Sequence, residues 1–204
     1  MQLYYAPRTI SVAIAIALEE AGLDYEAIKL DFAGGEQTKP AYKQINPKGR
    51  VPALAVDGGI LTETGALLEF IAAKAPEAGL VPADPVMAAR MREVMFYLAS
   101  TMHVNHAHKQ RGHRWADKES SWKDMTAKVA ETMTASCDYI SANGLRGPFV
   151  LGEVVSLADA YLYVVCSWLE GDGVDVSAFT KIVAFREAME ARASVQAVRA
   201  AGML

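Results

Sequence analysis

The spacing of apolar residues changes character once along this chain. Up to about residue 75, short strand-like runs alternate with helical stretches; after residue 85, only helical spacing remains. Gln2-Leu3-Tyr4-Tyr5 is a short run with β-favouring aromatics, and Ala6-Pro7-Arg8-Thr9 breaks it. Ile10, Ile14, Ala17, Leu18 and Ala21 then recur on one side of a helix, which Thr9 or Ser11 can cap and Gly22 can stop. Tyr25 to Leu30 alternates weakly, as a second strand. Asp31 to Gln44 is polar, holds Gly34-Gly35 and Pro40, and predicts a loop with a short irregular helix. Ala53-Leu54-Ala55-Val56 and the run after Asp57-Gly58-Gly59 predict a hairpin. A helix from about Glu63 to Lys74 follows, with Leu67, Leu68, Phe70 and Ile71 on its apolar side.

The order β-α-β-α-β-β-α, opening on a parallel βαβ unit, predicts a thioredoxin-like mixed sheet. Ala75 to Pro85 carries three prolines and one glycine and predicts a linker. Beyond it, Met87, Met91, Val94, Met95, Leu98 and Met102 step by three and four, as one long amphipathic helix. A second long helix is expected over about Asp117 to Ala142, ended by Asn143-Gly144. Leu157, Tyr161, Val164, Val165 and Trp168 mark a largely buried third, and shorter helices are expected near Ala178–Glu190 and Ser194–Ala201. Ser156-Leu157-Ala158-Asp159 is a capping-box pattern, a folding feature rather than a site. The expected organisation is an α/β thioredoxin-like domain over 1–76, a linker over 77–85 and an all-α domain over 86–204.

Composition narrows the function classes. A chain of 204 residues with 52% hydrophobic content can bury a large core. Its net charge of -4 argues against nucleic acid as a partner. The two cysteines, Cys137 and Cys166, fall in helical stretches without a CxxC pattern, as reduced core thiols. No secretory signal pattern opens the chain and no run of 18 apolar residues occurs, so a cytoplasmic protein without a membrane partner is expected.

The stretch with most chemistry is Asn46 to Ala66. Pro52 has no N–H, so the step at Val51-Pro52 can leave the Val51 backbone free for an extended ligand. Glu63 and Thr64 sit where a helix begins, with N–H groups turned outward. A peptide-like anion suits such a site.

YYAP at Tyr4–Pro7, NPKGRVPAL at Asn46–Leu54, LTETGA at Leu61–Ala66 and SLADAYL at Ser156–Leu162 together resemble the cytosolic glutathione transferases. The opening and the NPKGRVPAL run look most like the bacterial beta class. The resemblance implies glutathione as co-substrate, no further cofactor, no metal and a homodimer. By it, Val51 would pair with the cysteinyl unit across a cis Pro52, Glu63 would hold the γ-glutamyl amine, and Thr64 its carboxylate. Gln37 and Arg50 match positions that reach the glycine carboxylate in related classes. The implied activity is conjugation of glutathione thiolate to small hydrophobic electrophiles; the alternative is a binding protein with little turnover.

One position departs from the pattern. The beta class carries a cysteine one residue before the serine of the first helix, and here Ile10 stands there. Thiol activation is therefore expected from Ser11 or Thr9, with Arg8 adding positive potential. His103 matches an active-site histidine of the beta class. The other histidines, His106, His108 and His113, have no Cys, Asp or Glu among them to complete a metal set. Asn105 and Arg111 can border the cleft. Trp115, Trp122 and Trp168 are expected to pack.

Overall fold

A computed structural model describes residues 1–204. Four strands form one sheet in the order β2-β1-β3-β4: β1 Gln2–Tyr5, β2 Glu26–Lys29, β3 Ala53–Val56 and β4 Gly59–Thr62. β1 and β2 run parallel, with Leu3 opposite Ala27, while β3 lies antiparallel to both β1 and β4. The hairpin turns through Gly58 (φ 103°) and Gly59 (φ 133°), which glycine adopts without a Cβ penalty.

Helices α1 (Ser11–Glu20), α2 (Pro40–Ile45) and α3 (Thr64–Lys74) complete the thioredoxin-like part. α1 is buried along eight consecutive residues, Ser11 to Leu18, because the sheet covers one side and the later helices the other. The polar Asp31–Gln44 segment holds a 3₁₀ turn at Glu36–Thr38 and then α2, and the Ala75–Pro85 segment holds a 3₁₀ turn at Pro76–Ala78.

The helical part departs from simple periodicity at two π-helical segments. α4 (Pro85–Tyr97) passes through a π-helical segment at Leu98–Met102 into α5 (His103–Arg111), then a 3₁₀ turn at Gly112–Arg114. The wider turn shifts the phase of the helix, so residues after Met102 do not continue the methionine stripe. The second expected long helix is α6 (Glu119–Tyr139), with its own π-helical end at Ile140–Gly144. α7 (Leu157–Cys166), α8 (Thr180–Glu190) and α9 (Ala193–Ala200) follow.

The start of α7 carries the capping box. Asp159 is fully buried and accepts hydrogen bonds from the Ser156 N–H and hydroxyl and from the Val150 N–H, each at 2.7 Å. One cluster of 49 buried residues runs from Leu3 through α1 and α3 into α7 and α9. Across the same contact, Glu20 on α1 pairs with Arg192 and accepts from Ser194 at 2.6 Å. No helix is long and apolar enough to cross a membrane.

Candidate active site

A cavity of about 850 Å³ lies between the thioredoxin-like part and the α4–α5 helix. Its sheet-side wall is the Asn46–Pro52 loop and the start of α3. Asn46 is buried and donates to the Arg50 carbonyl at 2.7 Å, and the Tyr42 hydroxyl donates to the same oxygen at 2.8 Å. Gly49 (φ 62°) lets this loop press against the Gln37 carbonyl; a Cβ there would stand 3.0 Å from that oxygen. So fixed, the loop presents Val51, whose N–H and C=O make no hydrogen bond within the protein, ahead of a cis Val51–Pro52 bond.

Facing it is the N-terminus of α3. Glu63 sits at its N-cap with φ 74°, a left-handed conformation that costs a non-glycine residue about 1–3 kcal/mol. The N–H groups of Thr64, Gly65 and Ala66 have no protein acceptor, and all three residues line the cavity. Free N–H groups at the positive end of a helix dipole favour an anion. Glu63 also pairs with Lys48, which donates to Thr62 Oγ1 at 2.7 Å. The structure thus brings Arg50, Val51, Pro52, Glu63 and Thr64 together in one cavity.

Four other predicted residues lie outside the cavity. Ser11 is fully buried; its hydroxyl lies 3.2 Å from both the N–H and the carbonyl of Ala6, and 2.7 Å from Thr9 Oγ1. Thr9 in turn donates to the Ala6 carbonyl at 2.8 Å. Both hydroxyls close the turn before α1, and neither residue, from which thiol activation is expected by the sequence, lines the cavity. The Arg8 side chain is exposed outside the cavity. Its backbone is in a left-handed conformation (φ 58°), held by its N–H to the Met203 carbonyl at 2.8 Å and its carbonyl to Trp168 Nε1 at 3.0 Å. Gln37 supports Gly49 from behind, and its buried Oε1 has no partner.

What reaches the cavity from this loop is Ile10. It lines the wall at the N-cap of α1, and its N–H makes no hydrogen bond within the protein. The signal for it was the position itself: a residue at a helix start keeps its N–H whatever its side chain.

The opposite wall is a stripe along α4 and α5 that includes Met95, Ala99, His103, Val104, Ala107 and Arg111. His103 borders the cavity, with Tyr161 Oη 3.5 Å from its Nδ1 and Trp168 5.1 Å away. Burial, then His106 and the Arg111, Arg114 and Arg50 guanidiniums, push its pKa down to about 4, so the imidazole is neutral at pH 7. Burial also raises the Tyr161 pKa, with Glu63 adding to it, which leaves the phenol a proton donor. The other histidines go elsewhere: His106 bonds Asp172 at 2.7 Å and stacks on Trp168, His108 meets Trp115 edge-on, and His113 meets Trp122. Asn105 turns to α6, donating to the Thr132 carbonyl and Ser136. Trp168 is buried and Trp122 donates to the Ala116 carbonyl, but Trp115 is 46% exposed and lines the cavity, so it does not pack as expected.

A mixed four-stranded sheet, an open backbone edge at a cis-proline and a facing helix N-terminus define a thioredoxin-like binding protein with a helical second part. Residues 1–73 match the family model for the glutathione S-transferase N-terminal domain. A solved glutathione transferase homolog from Sulfitobacter with bound glutathione is 63% identical, with a TM-score of 0.98 over 100% of this chain and 98% of that one. A beta class glutathione S-transferase from Sphingomonas chungbukensis is 29% identical, with a TM-score of 0.85 and full coverage of both chains. A maleylacetoacetate isomerase from Pseudomonas aeruginosa is 33% identical over 192 residues, 89% of this chain and 87% of that protein. The chain belongs to the glutathione S-transferase family.

Proposed function

We propose that the cavity binds glutathione and that its thiolate attacks small electrophiles held against the α4–α5 wall. The observation that carries this reading is the unbonded Val51 backbone facing the free N–H groups of Thr64, Gly65 and Ala66. An extended tripeptide with a carboxylate at one end satisfies both at once. The cysteinyl unit pairs with Val51, the γ-glutamyl carboxylate lies on Thr64 and the start of α3, and Glu63 takes the amine. Lys48 already neutralises Glu63, so binding the amine means sharing that carboxylate between two cations. Arg50 is the cavity residue placed for the glycine carboxylate; Gln37 acts by supporting its loop.

The catalytic task is to make thiolate at neutral pH. A free thiol has a pKa near ~8.5, and a helix N-terminus lowers it. In this reading Ile10 supplies that through its backbone N–H at the positive end of α1. The sulfur forms its bond to the electrophilic carbon as the leaving group departs with its electron pair, and the thiol proton goes to solvent. Tyr161 faces the reacting region as a neutral hydroxyl donor and His103 as a neutral imidazole. Positioning and electrostatics therefore do most of the work. The isomerase relative supports a second reading, in which thiolate adds to a double bond and is later expelled; there glutathione is not consumed.

A homodimer suits the family and the 71% exposure of Phe96 on the cavity rim, and a cytoplasmic location suits a substrate that must stay reduced. Calorimetry with glutathione, followed by conjugation of 1-chloro-2,4-dinitrobenzene, tests the proposal. Binding in the micromolar to millimolar range with turnover above the uncatalysed rate is expected. No binding at millimolar glutathione defeats it, and binding with an unshifted thiol pKa selects the non-catalytic alternative.

A further inference from the structure

Most charges around the cavity are paired. Lys48 holds Glu63, and Arg92 holds Glu69 through two hydrogen bonds at 2.7 and 2.9 Å. Three guanidiniums are not. Arg50, Arg111 and Arg114 all line the cavity, and none of their side chains has an ion pair or a hydrogen bond within the protein. They lie close enough to destabilise one another: burial and then Arg50 lower the pKa of Arg111, and burial, Arg111 and Arg50 lower that of Arg114 to about 10. Arg50 and Arg114 reach solvent and Arg111 is half-buried, so water screens their repulsion; a carboxylate among them would pair with guanidiniums that have no partner in the protein.

Glutathione accounts for part of this. Its γ-glutamyl carboxylate belongs to α3, and its glycine carboxylate can occupy Arg50. Arg111 and Arg114 remain. They stand at the far end of the stripe on α4 and α5, which is apolar at Ala99, Val104 and Ala107 and becomes cationic at Arg111. Side chains on a helix lean toward its N-terminus, so Arg111 reaches back toward His103. Trp115 follows that turn and adds a 46%-exposed ring to the cavity lining. The wall has the form of a slot for a flat apolar body with an anionic end.

We infer that Arg111 and Arg114 are a binding site for a carboxylate on the electrophilic substrate, so that this protein selects anionic acceptors over neutral ones. The inference rests on the proposed function for its chemistry, but the anion site itself does not depend on turnover. A paired fork geometry on a carboxylate adds orientation to charge, which fixes the reacting carbon near Ile10 and His103 rather than merely retaining the substrate.

Two aryl chlorides of matched shape test it. With 4-chloro-3-nitrobenzoate, the glutathione sulfur bonds to the carbon bearing chlorine, the C–Cl bond breaks and chloride leaves with the electron pair; 4-chloro-3-nitrobenzamide reacts identically without the negative charge. Each kcat/KM is divided by the uncatalysed rate constant, to remove the difference in ring activation. The wild-type protein is expected to favour the benzoate by about tenfold or more, and Arg111→Gln with Arg114→Gln to bring the ratio toward one. Arg111→Lys is expected to retain part of the preference, because charge remains while the fork is lost. Calorimetry with 3-nitrobenzoate and 3-nitrobenzamide, which lack the leaving group, reads the site without catalysis. Benzoate binding that weakens with added salt and with the double variant supports the site, even if glutathione fails to bind and the functional reading falls. Equal binding of benzoate and benzamide overturns the inference while leaving conjugation of neutral aryl halides intact. A double variant that weakens glutathione and not 3-nitrobenzoate also overturns it, by assigning the cluster to the glycine carboxylate.

Discussion

At the scale of single residues, chemistry at this site is separated from appearance. Ser11 has the residue type and sequence position of a thiol donor, yet its hydroxyl is spent on Ala6 and Thr9. Ser11→Ala is therefore expected to cost about 1–2 kcal/mol of stability in denaturant unfolding, from the lost buried hydrogen bonds. The pKa of bound glutathione thiol should not move; a rise toward the free value would return Ser11 to the catalytic role. A turn-closing hydroxyl and a catalytic donor share one sequence signature, which is why the sequence could not separate them. His103 offers a test by pH. Its folded pKa of about 4 lies below the ordinary imidazole value of about 6.5, so the unfolded chain binds its proton first. Its contribution is present above pH 6.5 and is lost as pH falls toward 4. Asp159 acts with opposite sign, since burial lifts its pKa to about 6, so the variant comparison isolates the histidine. Between pH 7 and 4.5, the wild type should lose more thermal stability than His103→Gln; parallel curves would show that the imidazole is not buried neutral.

At the scale of elements, the ligand edge depends on backbone more than on side chains. Gly49 holds φ 62° with the Gln37 carbonyl 3.0 Å from where a Cβ would stand. Gly49→Ala should cost about 1–2 kcal/mol and weaken glutathione binding, because Arg50 and Val51 follow directly. Unchanged affinity would mean the loop re-forms elsewhere. The α7 cap is a second case: Asp159→Ala leaves the Val150 and Ser156 donors unsatisfied and should destabilise by about 3 kcal/mol in chemical denaturation. The sheet, the hairpin and the Val51–Thr64 edge were legible because each is written in contiguous residues: a proline that removes a donor, a glycine pair that turns, a helix start. Arg114 and Tyr161 were not, and Arg111 was named only as able to border the cleft. They converge from α5, the turn after it and α7, and the π-helical Leu98–Met102 segment shifts the phase by which a helical face is counted. Ile10 was hidden for another reason: its contribution is an N–H, which every residue but proline carries.

At the scale of the molecule, the two parts share one core. The 49-residue cluster crosses from the sheet to α7 and α9, and Glu20, Arg192 and Ser194 close the polar side of the same contact. Burial alone would raise the Glu20 pKa, but its bonds to Arg192 and Ser194 hold it below the usual value. Unfolding should then be a single transition, with tryptophan fluorescence (all three tryptophans lie in the helical part) coinciding with far-ultraviolet dichroism. Two separated midpoints would show that the parts unfold independently.

The bond between Arg8 and Met203 gives the molecule a timetable. The turn that leads to Ile10 is made long before its anchor at Met203. At about 5–20 residues per second, synthesis leaves Arg8 waiting roughly 10–40 s for Met203 to follow. Until then the Arg8 backbone lacks one of its two long-range hydrogen bonds. A nascent chain can complete its sheet early and still not complete the proposed thiol site, so a truncated translation product would carry the ligand edge without a finished turn at Ile10. Deleting the segment that carries Met203 would have the same effect on the folded protein.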